Sequence, residues 1–285
     1  MASTIKSSKI TVGDAKVPFA KWYNGVFLKQ KDNMGMHPLY TRFLKFPPIA
    51  SSGEFAVVFD QPKVWLKAEL TLNEFIALFM IFCNETGGTF KPLVEGAPKG
   101  GEVGQYFFEA KGKKSYNDPK QVAGNRPAGD LLVEMKKLDE VKDAAEVKAW
   151  NGVVWPKGSS DELKKAALEC DFYKYRGRGI VQITARKTYQ SSVDPLLGKQ
   201  KCDDLTDAEL TEAVCTNPKV YLPMVKNFFA GKQWQGWLAA LNKDPAGFRD
   251  VGWHVSGDRD GYGNLYEYRC TTLLDAINKE GYDAA

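Results

Sequence analysis

The sequence predicts a mainly α protein, and three observations predict it. Thr71-Leu72-Asn73-Glu74 and Thr206-Asp207-Ala208-Glu209 each set a Thr at an N-cap with a Glu three residues on, the reciprocal capping box that opens a helix. Phe75 to Cys83 is apolar nearly all round, so the helix that Thr71 opens is a central, buried one. Leu210–Cys215, Val220–Phe229, Gln233–Leu241 and Tyr266–Asn278 carry further helical patterns joined by short connections.

The remaining elements follow in chain order. Residues 1–20 are polar and rich in Ser and Lys, a loose arm. Residues 21–65 carry aromatics, then Phe46-Pro47-Pro48 and Ser51-Ser52-Gly53, and Phe55–Phe59 reads as a short strand. Residues 1–65 are therefore expected to form an N-terminal extension of unknown role, and residues 66–285 the main domain. Gly87-Gly88 stops the central helix after Glu85. Leu93–Glu95 and Val103–Glu109 read as the paired strands of a small hairpin. The charge-rich stretch at about 131–170 is helical in pattern, broken by Asn151-Gly152 and Trp155-Pro156, and reads as an insertion. Tyr175–Gly179 is a basic, Gly-rich turn, and Ile180–Tyr189 enters a helix near Thr184. Arg249–Leu265 reads as a charged, glycine-containing loop.

Composition excludes several classes of function. The 285 residues suffice for one large domain with appendages, and 44% hydrophobic with 26% charged residues is ordinary for a globular chain. A net charge of +4 suits an anionic polymer, but without a dense Lys/Arg run nucleic acid is not an expected partner. The five cysteines hold no CxxC pair and there are only His37 and His254, so neither a metal nor a cofactor is expected. Cys202 and Cys215 could pair; the sequence leaves this open. The 7 Trp, 12 Tyr and 16 Phe serve either a core or the stacking platforms of a sugar cleft. Met1–Lys16 lacks an apolar stretch behind its lysines and is not a Sec signal peptide, while Phe75–Cys83 is too short to span a membrane.

One residue stands out chemically. Glu85 ends the apolar helix and meets a Gly-Gly turn, which leaves its side chain room to face a cleft. Burial disfavours an ionised carboxylate, so a carboxyl in such a place can stay protonated and act as a general acid. The plain alternative is a helix-terminal Glu on the surface.

Two motifs weigh on that choice. Tyr175-Arg176-Gly177-Arg178-Gly179-Ile180-Val181-Gln182-Ile183-Thr184 closely resembles the RGRG-x-x-Q-[LI]-[TS] signature of glycoside hydrolase family 19, the chitinases and related phage endolysins of the lysozyme-like superfamily. Glu85-Thr86-Gly87-Gly88 resembles the signature around that family's general acid, and the two occur in the family's order. Weaker echoes are Gly124–Asp130, Asn217-Pro218 with Val220–Phe229, and Val255–Gly257 with Asn264–Arg269. The resemblance covers roughly residues 70–280. The chain departs from the pattern at Asn84, where His is usual, at Ala185, where Gly is usual, and at Thr188 and Ser256, where Asn is usual.

The resemblance implies a lysozyme-like, two-lobed helical fold with a small β-hairpin beside the cleft, and an inverting hydrolysis of β-1,4 bonds between N-acetylated amino sugars. Glu85 would be the acid. The second carboxylate that inversion requires, 6.5–9.5 Å away in such enzymes, is Glu95 on the bacterial pattern or Glu109 on the plant spacing, and Glu95 is preferred. Thr184 would hold the attacking water. Arg178, Gln182, Tyr189 and Arg269 would brace or bind in the substrate cleft. The leading substrate is bacterial peptidoglycan, which makes the chain a muramidase, a cell-wall lytic effector or an endolysin; chitin is the alternative, and a non-catalytic glycan-binding protein on the same scaffold is a third. A toxin would imply an immunity protein as partner. The protein is expected to be made in the cytoplasm and to act in the periplasm or cell wall after delivery by a route other than Sec.

Overall fold

A computed structural model describes residues 4–5, 11–12, 17–30, 46–96, 101–109, 115–122, 124–231, 241, 247–257 and 259–283. Of the expected helix at 233–241 only Leu241 lies among them. Helix accounts for 60% and strand for 4%, so the protein is mainly α. The chain divides into two compact units, Met1–Lys91 with Phe229–Ala285, and Pro92–Phe228. Among the described residues no helix is long and apolar enough to cross a membrane.

The first unit is built round the Leu72–Glu85 helix. Its capping box forms as expected: Thr71 Oγ1 accepts from the Glu74 amide at 3.3 Å, and Glu74 Oε2 accepts from the Thr71 amide at 2.8 Å. Every residue from Phe75 to Cys83 is buried. Aromatic rings fill the surrounding space. Phe79 meets Phe19 and Tyr23 edge-on, each at 5.0 Å between centroids, and stacks with Phe90 at 5.8 Å. Such pairs add about 0.5–1.5 kcal/mol each beyond area burial.

Phe19, Trp22, Tyr23, Phe27, Phe46, Phe55, Phe59 and Trp65 all belong to this core. The expected boundary at residue 65 therefore does not separate an extension from a domain, because the described residues before it supply much of the first unit's interior. Two-residue strands tie the N-terminal segment in further: Thr4–Ile5 pairs with Leu70–Thr71, and Thr11–Val12 lies between Val17–Pro18 and Tyr282–Asp283.

Three sequence expectations are corrected here. Phe55–Phe59 is not a strand but part of the Ser52–Phe59 helix, capped by Ser51 Oγ accepting from the Glu54 amide. Val103–Phe108 is likewise a helix. In both, the buried positions fall at i, i+3 and i+4 (Phe55, Val58, Phe59 and Gly104, Phe107, Phe108), the period of a helix. Arg249–Leu265 is not a loop: Gly247–Ser256 is a helix, Arg259–Gly263 a π-helical turn, and Asn264–Glu280 the closing helix.

In the second unit, Leu93–Val94 forms the expected strand, but it pairs antiparallel with Arg178–Gly179 of the basic turn, with Val94 opposite Arg178. The stretch at 131–170 is an integral part of this unit. Leu131, Leu132, Leu138, Trp150, Trp155, Ala167 and Cys170 pack with Phe107, Phe108 and Phe172 in one core. Gly104 makes room for it, since a Cβ there would lie 2.5 Å from the Trp155 ring. The second capping box forms at Thr206 and opens the Asp207–Cys215 helix. All five cysteines are free, so Cys202 and Cys215 do not pair.

The turn after the basic motif is strained. Ala185, which starts the Arg186–Ser192 helix, has φ 77° and ψ 141°, a region that favours glycine. Its amide donates to the Tyr175 carbonyl at 2.9 Å and its carbonyl accepts from Thr188 and Tyr189, which fixes the conformation. Ala185→Gly is expected to raise stability by about 1 kcal/mol, the strain relieved exceeding the extra chain entropy. Denaturant melts of the two proteins check this, and an unchanged or lower midpoint would show that Ala185 carries no strain.

Candidate functional site

The sequence-predicted residues fall into two clusters, one in each unit. The first is centred on Glu85. The helix ends there because Thr86 folds back, its hydroxyl donating to the Phe82 carbonyl at 2.6 Å while accepting from the Phe90 amide at 3.0 Å. Gly87 and Gly88 then take φ of 58° and 81°. A Cβ on Gly88 would collide with the Pro48 carbonyl, and the Gly88 carbonyl accepts from the Ala50 amide at 2.9 Å. The ETGG turn thus requires glycine where the Phe46–Ala50 segment crosses the helix end.

Glu85 is half-buried. Tyr266 Oη donates to its Oε1 at 3.0 Å. Asn84 Nδ2 donates to Tyr266 Oη at 3.2 Å, and Arg269 Nη1 donates to Asn84 Oδ1 at 2.7 Å. Gly252 admits the Tyr266 ring, because a Cβ there would come within 2.5 Å of it. Desolvation raises the Glu85 pKa above the ordinary carboxylate value, opposed in part by the hydrogen bonds from Tyr266 and Asn84. Burial and the facing carboxyl push the Tyr266 phenol well up, so it remains a donor. Arg269, expected to bind substrate, is buried and held on Asn84, with its guanidinium 5.8 Å from the Phe46 ring centroid.

The second cluster is centred on Glu95, which follows the Leu93–Val94 strand. Its amide donates to the Gly177 carbonyl at 2.8 Å, and the Gly177 amide donates to its Oε2 at 3.0 Å. Tyr116 Oη lies 3.1 Å from both carboxylate oxygens. A Cβ on Gly177 would lie 3.0 Å from Gln182 Oε1 and from Glu95 Oε2, so this glycine lets the two side chains approach. Gln182 Nε2 donates to the Leu93 and Gly179 carbonyls at 3.1 and 2.7 Å. The Thr184 hydroxyl donates to the Gln182 carbonyl at 3.1 Å.

Arg178 and Tyr189, expected to brace or bind in the substrate cleft, are fully buried. Arg178 donates to Thr211 Oγ1 at 2.9 Å, to the Lys174 carbonyl and to Tyr189 Oη, and pairs with Asp207. Tyr189 Oη in turn donates to the Arg176 carbonyl at 2.6 Å. Together with the Arg176–Asp207 pair, these bonds hold the RGRG turn from behind. Glu109 stands outside this cluster: it is exposed and accepts from Gln105 Nε2 at 2.8 Å.

Tyr116 and Tyr266, which orient the two carboxyls, were not foreseen. No spacing signals them, since Tyr116 is 21 residues from Glu95 and Tyr266 is 181 from Glu85. Asn125 of the Gly124–Asp130 echo holds Tyr116 in place: its Nδ2 donates to the Tyr116 carbonyl at 3.1 Å and its Oδ1 accepts from the Arg186 amide at 2.8 Å. Among the described residues no group of three His, Cys, Asp or Glu side chains could hold a metal ion. Comparison of the chain with protein-family models, curated proteins and solved structures found no match.

The raised Glu85 pKa has a consequence for stability. A carboxyl that binds its proton more tightly when folded contributes stability at low pH, which is lost as pH rises from the unfolded value towards the raised native one. Glu85→Gln removes that dependence. Its stability relative to the natural protein is expected to improve in urea melts as pH rises above the ordinary carboxylate value of 4.5. A difference that is flat or of opposite sign over that range would contradict the raised value.

Proposed function

We propose that this chain is a glycoside hydrolase that cuts the β-1,4 bonds of bacterial peptidoglycan by an inverting acid/base mechanism, on a two-lobed, lysozyme-like scaffold. The observation that carries the reading is Glu85: a carboxyl at the end of an apolar helix, desolvated so that its pKa rises, yet still partly open to solvent. A general acid working near neutral pH needs these properties together. The resemblance of Glu85–Gly88 and Tyr175–Thr184 to family 19 glycosidases supports the same role.

In this mechanism Glu85 gives its proton to the glycosidic oxygen as the bond to the anomeric carbon breaks. Inversion also needs a base that takes a proton from the attacking water and leaves a hydroxyl of inverted configuration, and Glu95 is the carboxylate proposed for it. Tyr116 and Gly177 hold the Glu95 carboxylate in one orientation. Thr184, whose own proton goes to the Gln182 carbonyl, has oxygen lone pairs with which to accept from that water. The net charge of +4 favours an anionic wall polymer, with binding that weakens as salt rises. A cell-wall lytic effector or endolysin acting in the periplasm or wall is the setting this activity implies, and an effector would have an immunity protein as partner.

Zymography on peptidoglycan and on glycol chitin, with mass spectrometry of the products, tests the proposal. Sacculi are expected to release fragments with new reducing ends between N-acetylmuramic acid and N-acetylglucosamine. Glu85→Gln is expected to lower the rate about 10²–10⁴-fold, the usual worth of a general acid. Glu95→Gln is expected to cost far more than Glu109→Gln, because Glu95 is held by the Tyr116 hydroxyl and the Gly177 amide whereas Glu109 is exposed. Products from chitin oligomers alone would make the chain a chitinase. Binding to either glycan without products would make it a non-catalytic glycan-binding protein.

A further inference from the structure

We propose that Arg269, Asn84 and Tyr266 form a one-directional hydrogen-bond chain that delivers the phenolic proton of Tyr266 to Oε1 of Glu85 and so confines the carboxylic proton of Glu85 to Oε2. All four residues belong to the first unit. The direction is set at the far end. A guanidinium has donors and no acceptor. Arg269 Nη1, 2.7 Å from the Asn84 side chain, must therefore face its carbonyl oxygen Oδ1. The planar amide then turns its donor, Nδ2, towards Tyr266 Oη at 3.2 Å. The phenol oxygen accepts that proton and must send its own elsewhere, and Glu85 Oε1 lies 3.0 Å away.

The opposite arrangement, with a proton on Oε1 donated to Tyr266, leaves the phenolic proton of a residue only 2% exposed pointing at the Asn84 donor or at nothing. An unpaired buried donor is costly, so this state is disfavoured. Oε1 is thus an acceptor in both ionisation states of Glu85. The proton that leaves in catalysis is carried on Oε2, a consequence that rests on the proposed role of Glu85 as the acid. Asn84 and Arg269 act here as positioning residues. Among the described residues, the ionisable groups around this chain include Tyr266, Arg269 and Cys270 on the Asn264–Glu280 helix, Cys83 on the helix of Glu85 itself, and Tyr23 on the Phe19–Gly25 helix.

Neutron diffraction from deuterium-exchanged crystals of the full chain, grown below the Glu85 pKa, reads the chain directly and needs no variant. The expected map has a deuteron on Tyr266 Oη directed at Glu85 Oε1 and a deuteron on Oε2. A deuteron on Oε1 directed at Tyr266 would overturn the proposal. A double-mutant cycle in solution is the second arm, following the Glu85 carboxyl by carbon-13 NMR titration. Tyr266→Phe removes a donor to the carboxylate and is expected to raise the Glu85 midpoint by roughly one pH unit. In the Asn84→Asp background the aspartate accepts from Arg269 and from Tyr266 alike, so the phenolic proton has already turned away from Glu85. There Tyr266→Phe is expected to add less than about a third of that shift, the non-additivity of residues in one network. Equal shifts in the two backgrounds, or none in the natural protein, would refute the one-way chain. Neither arm uses a glycan, so a chain that passes both but hydrolyses nothing would sink the proposed activity while leaving this proton arrangement in place.

Discussion

Desolvation of one carboxyl governs the first unit. Glu85 sits where an apolar helix runs out, and the helix can bury its rings because others meet them: Phe19, Tyr23, Phe55 and Phe90 pack against its own Phe75 and Phe79 and one another. Dry surroundings give the carboxyl its raised pKa, and the same surroundings demand that each polar group nearby find a partner. That demand accounts for the local detail. Thr86 pairs with the backbone in both directions, Cys83 Sγ reaches the Pro47 carbonyl, and Asn84 bridges Arg269 and Tyr266. Gly88 and Gly252 are required because backbone and ring approach too closely for a Cβ.

The second unit fixes its carboxyl by a different route. Glu95 follows a two-residue strand, a weak element in isolation. What steadies it is the turn it pairs with, and that turn is held from within by buried charge. Arg176 and Arg178 both pair with Asp207 at the start of the Asp207–Cys215 helix. An anion in the first turn is favoured by the helix dipole as well as by the two guanidiniums. The two guanidiniums are buried while Asp207 is partly exposed, so losing Asp207 would leave two buried cations short of a counter-charge. The two arginines of the RGRG motif are therefore explained by the turn's own construction, whatever the turn does.

Much of this was legible in the residues. Both capping boxes open helices where Thr71 and Thr206 place them, and Glu85 ends its helix at the Gly-Gly stop. The misread segments share a cause. Phe55–Phe59 and Val103–Phe108 are short apolar runs, and a run of that length satisfies a buried strand and a buried helix turn equally; only the positions that face the core, set by tertiary packing, separate them. Arg249–Leu265 was hidden by its glycines, one of which, Gly252, serves close packing against Tyr266 rather than a turn. Tyr116 and Tyr266 were beyond reach for another reason. Their partners are distant in sequence, and a phenol shows its hydrogen-bond role only once the fold brings it to a carboxyl.

The departure at Asn84 gains meaning from this setting. A histidine at that position has an ordinary pKa near 6.5 and would itself change charge beside the carboxyl. The two protonations would then be coupled, each altering the other's apparent value. An asparagine carries the same capacity to donate and accept, without a charge to change. Held by Arg269 on one side and Tyr266 on the other, it transmits one fixed polarity at every pH at which the guanidinium and the phenol keep their protons. Glu85 is then the one group of its hydrogen-bonded chain that changes charge while the guanidinium and the phenol keep their protons. In physical terms, Asn84 leaves the Glu85 carboxyl without a second titrating group beside it in this hydrogen-bonded chain.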